Sequence, residues 1–431
     1  MADKRRKVLY VSHNHPMFRP GGAEQYALDL YRAMSPSTAF EPVLLARAGP
    51  PVARSELLHK GPPVAAANSD PNQYLIFTDV ENYDYLNNEL AGKPVLTRFL
   101  RDFLVAQQPD IVHFHHTLYY GYDVLRVTRN ALPHVPIVYT LHDYMAICHR
   151  DGQMVKAVGD QMCLDPSPLD CSECFPNAGT QQFFMRKRFI QSHLALVDRF
   201  IAPTSTTKER FVEWGIPADR IIVEPYGSSP PQRISANGSA NGDRVVRKRN
   251  RFAFFGQLTP YKGADVLLEA MRLLGPDFDG HLWLYGANLD LMDERFQARL
   301  RKLLDSTGAT VTVGGQYDHG DVLDLMEDMD WIMVPSIWAE TGPFVVWEAF
   351  HARRPVICSP VGGLAEKVRH GENGLYFRRN DAQNLAALMR QAAADPALWK
   401  QLHEQITPPY GMDSHLQVLT AAYRELLEGA K

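Results

Sequence analysis

Short apolar runs alternate along the chain with longer segments in which apolar residues recur every three or four positions. The runs are rich in β-branched and aromatic residues, and runs of this length are typical of buried strands. We predict strands at Val8–Ser12, Ile111–Phe114, Ile137–Thr140, Arg199–Pro203, Ile221–Val223, Arg251–Phe255, His281–Tyr285, Trp331–Pro335 and Pro355–Ser359. Because strands that alternate with helices form parallel sheets, the pattern predicts an α/β protein with doubly wound parallel sheets.

The alternation stops once and then resumes, which indicates two similar halves. Residues 227–250 contain two adjacent prolines, a stretch of Asn, Gly, Ser and Ala, and a basic run, none of which can build a core. We therefore predict an N-terminal domain at 1–226, a linker or mobile loop at 227–250 and a second α/β domain at 251–410. A terminal helix follows at 411–431.

Composition and charge narrow the class of protein. Hydrophobic residues make up 45% of the 431 residues and charged residues 22%, which is ordinary for a globular chain. Forty-five basic residues face 49 acidic ones, so no nucleic-acid partner is predicted. No apolar run approaches the ~18 residues of a spanning helix, and the apolar run Val8–Val11 after the basic start is too short for a signal peptide. We predict a soluble, cytoplasmic protein.

Candidate functional residues follow the predicted strands, because ligands of open parallel sheets bind beyond the carboxyl ends of the strands. Gly21 and Gly22 either cradle an anion with backbone amides or simply make a tight turn. His142 is either a proton donor or acceptor near neutral pH or a structural histidine. Lys262, at a predicted helix start, either pairs with phosphate oxygens or is solvated.

The segment from Glu340 to Glu348 is the most informative. Pro343 fits the first position of a helix, where its missing N–H costs little. A pyrophosphate at that helix start would lie between two carboxylates, one for the hydroxyls of a sugar and one for those of a ribose. The alternative is an acidic helix start that only complements the helix dipole.

Four of the five cysteines cluster in sequence, and two of them form a C-x-x-C pair. They are Cys148, Cys163, Cys171 and Cys174. Four thiolates suit a structural Zn²⁺ site, and an iron–sulfur cluster less well; buried reduced thiols are the alternative.

A predicted helix at Phe183–Leu196 carries Arg186-Lys187-Arg188 among aromatic residues. This pattern fits peripheral contact with an anionic membrane, here the inner face of the cell membrane. A solvated helix face is the alternative.

Four segments together resemble glycosyltransferase family four. They are Ser12 to Glu24, Thr140 to Asp143, Phe255 to Gly263, and Glu340 to Glu348 with the Pro360-Val361-Gly362-Gly363 stretch. The resemblance spans nearly the whole chain, and the E-x-x-P-x-V-x-x-E-A element is its most specific part. It implies the GT-B fold: two facing Rossmann-like domains and a C-terminal helix that packs back on the first domain.

The resemblance also implies roles for single residues. Gly21 and Gly22 would lie near the donor phosphates, and His142 would contact the transferred sugar or its surroundings. Lys262 would neutralise the leaving diphosphate. Glu340 would bind sugar hydroxyls and, with His142 and Lys262, form the catalytic set. Glu348 would bind the ribose of the donor.

Two positions depart from the family pattern. Gln257 stands in the donor-binding loop where arginine is usual, so one cation for the phosphates is missing. Pro343 cannot donate an amide, so the phosphate contact would shift to the amides of Phe344 and Val345. The cysteine cluster and the insertion at 230–250 are not general features of the family.

The resemblance implies a retaining transfer of a sugar from a nucleotide-diphosphate sugar of UDP or GDP type. The acceptor would be a hydroxyl of a glycan, a lipid-linked molecule or a small molecule. The expected role is the synthesis of cell-surface glycans or glycoconjugates. Charge grows on the departing diphosphate, so cations and amide dipoles suffice without a catalytic metal or other cofactor. Two other functions stay open: a nucleotide-sugar epimerase on the same fold, and a non-catalytic module that binds sugars or nucleotides.

Overall fold

The computed structural model describes residues 5–19, 21–48, 64–67, 70–78, 83–89, 93–230, 248–287 and 289–429. The chain divides into two compact units. Unit 1 contains residues 1–152, 163–227 and 412–431, and unit 2 contains residues 153–162 and 228–411. The short segment 153–162 therefore groups with unit 2, which the sequence pattern did not indicate. Most of the predicted linker, residues 231–247, lies outside the described residues.

Unit 1 is built on an eight-stranded sheet. Strands and helices are numbered in chain order, and its strands are β1 (Arg6–Ser12), β2 (Phe40–Arg47), β3 (Val64–Ala67), β4 (Asp70–Ile76), β5 (Ile111–Phe114), β6 (Ile137–Thr140), β7 (Arg199–Ala202) and β8 (Ile221–Val223). Their order in the sheet is β3-β4-β2-β1-β5-β6-β7-β8, and every pair is parallel except β3 with β4. The central strands are apolar along their whole length because helices cover both faces of a doubly wound sheet.

In the described part of unit 1, six α-helices lie between these strands. They are α1 (Gly22–Met34), α2 (Pro94–Gln107), α3 (Asp123–Ala131), α4 (Pro168–Cys174), α5 (Thr180–Leu194) and α6 (Ser205–Trp214). The apolar stripe predicted after β1 is the buried face of α1. Thr204 caps α6 by accepting a hydrogen bond from the amide of Thr207, as residues with a short polar side chain do at helix starts.

Unit 2 contains a fully parallel six-stranded sheet in the order β11-β10-β9-β12-β13-β14. Its strands are β9 (Arg251–Gln257), β10 (His281–Ala287), β11 (Val311–Gly315), β12 (Trp331–Val334), β13 (Val356–Cys358) and β14 (Gly374–Tyr376). Its helices are α7 (Ala264–Leu274), α8 (Glu294–Thr307), α9 (Val322–Glu327), α10 (Phe344–His351), α11 (Gly363–Lys367), α12 (Ala382–Ala394) and α13 (Pro396–Gln405). One apolar core lies on each face of the sheet.

The last helix, α14 (Met412–Gly429), belongs to unit 1 and packs against α1. His415 joins the two helices, since its Nε2 lies 2.6 Å from the hydroxyl of Tyr26, and its Nδ1 lies 2.8 Å from Oε1 of Glu224. Farther along α14, the hydroxyl of Tyr423 lies 2.6 Å from Nδ1 of His113. The prediction of two α/β units with doubly wound parallel sheets is thus confirmed.

Candidate functional site

Lys262 and Glu340, which are 78 positions apart in sequence, form an ion pair in unit 2. The Lys262 ammonium lies 2.7 Å from Oε1 of Glu340. Lys262 ends a short 3₁₀ turn after β9, and Glu340 lies in the loop after β12. These strands are neighbours in the parallel sheet, so the loops that follow them meet at one edge.

Gly263 allows this close approach. Its φ is +73°, and a Cβ atom there would lie 2.0 Å from the carbonyl oxygen of Pro335, at the end of β12. The amide of Ile337 donates to the carbonyl of Tyr261 at 2.8 Å and joins the two loops a second time. A residue with a side chain at 263 would push the loops apart and move Lys262 with them.

Glu340 is fixed by three donors that converge on one oxygen. Besides Lys262, the hydroxyl of Ser336 donates to Oε1 at 2.7 Å and the indole N–H of Trp338 donates at 2.9 Å. The Glu340 side chain is only 4% exposed, so these bonds replace the water that a carboxylate otherwise needs. Sequence reasoning missed Ser336 and Trp338, although their position in the loop after β12 placed them beside Glu340.

The helix that follows Glu340, α10, begins at Phe344, and Pro343 is its N-cap. Proline thus stands one position earlier than predicted, at the cap rather than in the first helical position. The amides of Phe344 and Val345 belong to the first turn, where a helix presents N–H groups and positive partial charge to an anion. Glu348, farther along α10, lies 3.4 Å from Nδ1 of His319.

Gln257 is the last residue of β9 and its side chain is exposed. The strand therefore ends in a neutral amide, at the position where arginine is usual in the family that the sequence resembles. Among the residues predicted for the donor site, the structure brings Lys262, Glu340 and the start of α10 together within unit 2. Gly21, Gly22 and His142 lie in unit 1.

His142 lies two residues after β6 and is buried among aromatic rings. Its Nδ1 lies 2.7 Å from the hydroxyl of Tyr226, and its Nε2 lies 3.2 Å from Nδ1 of His115. Burial lowers the pKa of His142 well below its usual value, and the nearby histidines, His115 first, lower it further. The imidazole is therefore neutral near pH 7.

Two histidine–carboxylate pairs lie beside His142. His116 lies 2.7 Å from Asp143, His13 lies 2.9 Å from Glu24, and the two imidazole rings are 4.4 Å apart. Burial acts to lower the pKa of His116, but the charge and hydrogen bond of Asp143 outweigh it and the pKa is raised. The pKa of His13 is lowered, because burial outweighs the charge of Glu24.

The start of α1, predicted to cradle donor phosphates, faces a carboxylate of the chain itself. Gly21 is the N-cap, and a Cβ atom there would lie 2.5 Å from Oε2 of Glu24. The Glu24 carboxylate is buried in the first turn of the helix, where a negative charge complements the helix dipole. The phosphate role of Gly21 and Gly22 stays a prediction, and Glu24 already supplies negative charge at this helix start.

The zinc site predicted from the four clustered cysteines stays a prediction. No three or more His, Cys, Asp or Glu side chains are arranged to hold a metal ion in the part of the chain that the structure describes. The thiols of Cys148, Cys163, Cys171 and Cys174 are half-buried and form no disulfide. Burial, and after it the charges of the neighbouring cysteines, raise the pKa of the Cys171 thiol to about 12.

The basic run on α5 does not form one charged surface. Arg186 is buried and donates to the main-chain oxygens of Leu86, Met145 and Ala146. Its neighbours Lys187 and Arg188 are half-buried and exposed, respectively. None of the described helices is long and apolar enough to cross a membrane.

The sequence matches two family models in succession. The model described as Glycosyltransferase Family 4 matches residues 20–228, and the model described as Glycosyl transferases group 1 matches residues 242–407. Together they cover both units except residues 1–19, which include β1, residues 229–241, and residues 408–431, which include α14.

Two curated relatives match parts of the chain. D-inositol 3-phosphate glycosyltransferase 1 of Catenulispora acidiphila is 30% identical over 55% of this chain and 60% of its own. An exopolysaccharide phosphotransferase of Streptomyces coelicolor is 28% identical over 48% of this chain and 21% of its own. The chain thus spans less than two thirds of the length of either relative.

Solved structures of low sequence identity share the fold of the whole chain. Sucrose-phosphate synthase of Thermosynechococcus elongatus superposes with a TM-score of 0.72, at 18% identity over 99% of this chain and 100% of its own. The Anabaena protein HepE in complex with UDP-glucose superposes with a TM-score of 0.64, at 18% identity over 97% of this chain and 99% of its own. The family models and the shared fold lead to one conclusion: the chain belongs to the GT-B glycosyltransferases of family four.

Proposed function

We propose that the protein is a retaining glycosyltransferase that moves a sugar from a nucleotide-diphosphate sugar to an acceptor hydroxyl. The observation that carries this proposal is the ion pair of Lys262 with the buried Glu340, directly before the start of α10. This arrangement combines a cation, helix amides and a fixed carboxylate in one site. The cation and the helix amides suit a diphosphate, and the carboxylate suits the hydroxyls of a sugar.

The chemistry follows from the charge that moves. The bond between the anomeric carbon and the diphosphate oxygen breaks, and its electron pair stays on the diphosphate. Lys262 and the amides of Phe344 and Val345 stabilise that charge, and such stabilisation at the developing charge lowers the barrier. The acceptor oxygen then bonds to the anomeric carbon from the same face, and its proton passes to a diphosphate oxygen.

Glu340 and Glu348 position the donor in this proposal. Three donors hold Oε1 of Glu340, so the carboxylate keeps one orientation toward the hydroxyls of the sugar. Glu348, inside α10, would bind the ribose hydroxyls. A carboxylate that is already desolvated and fixed loses little entropy when it accepts a hydrogen bond from a sugar hydroxyl. The fixed orientation of the bound sugar then favours the reaction.

The donor is a nucleotide-diphosphate sugar of UDP or GDP type, and the acceptor is a glycan, a lipid-linked sugar or a small molecule. A structural neighbour was solved with UDP-glucose, which supports the UDP type. A relative named for exopolysaccharide chemistry supports a role in cell-surface glycan synthesis. The half-exposed Lys262 and the helix amides supply positive charge without a catalytic metal.

A binding panel followed by a transfer assay tests the proposal. UDP, GDP and their common hexose derivatives are screened by thermal shift, because a ligand that binds only the folded state raises the unfolding temperature. The donor that binds is then incubated with candidate acceptors and, separately, alone. Release of nucleoside diphosphate only with an acceptor supports transfer. Conversion of the sugar without acceptor indicates an epimerase, and binding without any reaction indicates a binding module.

A further inference from the structure

Tyr119 has an unusual backbone conformation in the loop that follows β5. Its φ is +67°, and among the non-glycine residues with positive φ in the described part of the chain it alone is aromatic. The amides of Tyr120 and Gly121 both donate to the Thr117 carbonyl, at 3.0 and 2.8 Å, so a tight turn encloses the residue. A bulky residue adopts this conformation at a cost in free energy, and residues strained in this way concentrate at functional sites.

A buried arginine supports the ring of Tyr119. Arg47 is the last residue of β2 and is only 1% exposed. Its guanidinium donates twice to the Thr78 carbonyl, at 2.9 and 3.1 Å, and once to Oδ1 of Asn14 at 3.2 Å. The guanidinium carbon lies 4.4 Å from the centroid of the Tyr119 ring, in the geometry of a cation–π contact. The half-buried ring of Tyr119 therefore rests on a cation that three hydrogen bonds hold in place.

The Tyr119 ring belongs to the edge of the unit 1 sheet at which a ligand is expected. β1 has β2 on one side and β5 on the other, so the order of the strands reverses at β1. Arg47 ends β2, His13 directly follows β1, and Tyr119 lies in the loop after β5. Ligands of doubly wound sheets bind at such a reversal, beyond the carboxyl ends of the strands.

Two imidazoles accompany the Tyr119 ring at this edge. The ring centroid of His13 is 6.5 Å from that of Tyr119 and 4.4 Å from that of His116. A carboxylate fixes each imidazole, Glu24 for His13 and Asp143 for His116. Nδ1 of His13 is buried and has no hydrogen-bond partner among the described residues. Such a nitrogen is rare in a folded protein, and a hydroxyl of a bound ligand would satisfy it.

An aromatic ring beside oriented polar groups suits a ligand that is apolar on its faces and polar at its edge. A sugar in pyranose form has this character, because C–H groups cover its faces and hydroxyls surround its edge. The C–H groups carry a partial positive charge and pack well on the negative face of an aromatic ring. The surroundings of Tyr119 and His13 therefore favour a sugar ring.

We propose that Tyr119 binds the acceptor and selects one that contains a pyranose ring, and that Arg47 is a positioning residue that holds Tyr119. The inference rests on the proposed function and names the class of its acceptor. The ring of Tyr119 packs on a face of the sugar, and a hydroxyl at the edge of the sugar donates to Nδ1 of His13. This step is binding only, and no covalent bond changes.

Saturation-transfer NMR tests the sugar binding without a donor. The probes are the methyl α-pyranosides of D-glucose, D-galactose and D-mannose, with glycerol as a polyol that has no ring. We expect saturation to pass from the protein to the C–H protons of at least one pyranoside and not to glycerol. Tyr119→Ala should weaken the binding of that pyranoside about tenfold, because it removes the whole aromatic contact.

Matched variants make the assignment to Tyr119 specific. Tyr119→Phe keeps the ring and should bind the pyranoside as wild type does. Tyr74→Ala removes another half-buried tyrosine of unit 1, one that packs on Phe103, and should also bind as wild type does. Thermal unfolding of each variant checks that it is folded.

A double-mutant cycle tests the positioning role of Arg47. Arg47→Met should weaken pyranoside binding about threefold in the wild-type background and cause no further loss in the Tyr119→Ala background, because it acts only through the ring. Arg47→Lys keeps a cation but not the planar fork of hydrogen bonds, and it should cause a smaller loss than Arg47→Met. Equal losses from Arg47→Met in both backgrounds would show that the arginine does not act through Tyr119.

Steady-state kinetics then connects the bound sugar with the reaction. With the donor found in the binding panel, the pyranoside that binds should serve as an acceptor. Tyr119→Ala should raise KM for this acceptor about tenfold and leave KM for the donor unchanged. A change in KM for the donor instead would place Tyr119 outside the acceptor site and overturn the inference.

The outcomes separate the inference from the proposed function. No binding of any pyranoside to the wild-type protein, or equal binding to wild type and Tyr119→Ala, would overturn the inference alone. Binding that disappears in Glu340→Ala but not in Tyr119→Ala would also overturn it, since the sugar would then occupy the proposed donor site. Binding that depends on Tyr119, without transfer from any donor, would overturn the proposed function and leave Tyr119 as a sugar-binding residue.

Discussion

The buried histidines around His142 in unit 1 and the ion pair of Lys262 with Glu340 in unit 2 use ionisable side chains in opposite ways. His142 is enclosed by His115 and Tyr226, and burial keeps its imidazole neutral. In unit 2, Lys262 remains 30% exposed while it pairs with the buried carboxylate of Glu340. In unit 1, the neutral His142 ring makes hydrogen bonds to neutral neighbours. In unit 2, the Lys262 ammonium stays partly exposed, so its positive charge can act on a ligand.

This contrast separates the two kinds of candidate residue. A buried imidazole whose ring nitrogens are both hydrogen-bonded shapes a surface and positions other groups. A half-exposed ammonium next to a helix start can neutralise a charge that appears during a reaction. The predictions below test whether the units differ in this way.

The largest effect is expected from removing either member of the ion pair. Lys262→Ala and Glu340→Ala should each lower kcat of sugar transfer at least ~100-fold, because each removes a group that acts on the developing charge or on the sugar. Steady-state kinetics with the donor found in the binding panel measures this loss. Lys302→Ala is the control on the exposed surface of the same unit. Turnover near that of wild type in both variants would contradict the assignment.

A large effect on stability is expected at Gly263. Gly263→Ala places a Cβ atom against the Pro335 carbonyl at a positive φ, whereas Gly371→Ala has a positive φ and open space around it. We expect Gly371→Ala to cost about 1–2 kcal/mol and Gly263→Ala to cost about 1–3 kcal/mol more. Urea unfolding measures both. Equal costs would show that the loops after β9 and β12 are not closely packed at this point.

A moderate, pH-dependent effect is expected at the pair of His116 and Asp143. The pKa of His116 is raised and that of Asp143 is lowered, so the pair stabilises the fold between their ordinary pKa values. Asp143→Asn should reduce the free energy of unfolding by roughly 1–3 kcal/mol near pH 5.5. The difference from wild type should shrink as the pH rises through the raised pKa of His116. Urea unfolding from pH 5 to pH 9 checks the sign, and a difference that grows toward pH 9 would refute it.

The smallest effect is expected in the pH profile of a His142 variant. Because burial lowers the pKa of His142 well below 6.5, its charge does not change between pH 6 and pH 9. His142→Asn should therefore lower kcat by the same factor at every pH in this range, so the shape of the plot of kcat against pH should not change. Rates of sugar transfer at half-unit intervals test this. A limb near pH 6.5 that is present in wild type and absent in the variant would show that His142 titrates there.

Local pattern predicted most of the elements that carry the site. The strands at 111–114, 137–140 and 221–223 have the predicted bounds, because a buried strand of a doubly wound sheet is apolar along its whole length. The turn at Gly263 and the helix after Glu340 followed from glycine, proline and the apolar stripe. The start of α10 differs by one residue, since a proline satisfies both the cap and the first helical position.

Local pattern did not predict which side chains are buried together. Arg186 belongs to a basic run in sequence, yet it is buried against three main-chain carbonyls from two distant segments. The C-x-x-C pair suggested a metal site, which stays a prediction: among the described residues, no group of three or more His, Cys, Asp or Glu side chains is arranged to hold an ion. Charge and spacing along the chain do not report the direction in which a side chain points in three dimensions.

The sequence by itself determined the alternation of strands and helices, the two α/β units and the family, because these depend on short-range periodicity and on compact motifs. Only the tertiary structure decided that Lys262, Ser336 and Trp338 all donate to one oxygen of Glu340, and that the guanidinium of Arg47 lies on the ring of Tyr119. These contacts join loops after different strands. Their geometry depends on how the sheet and its helices pack, which no local pattern of residues encodes.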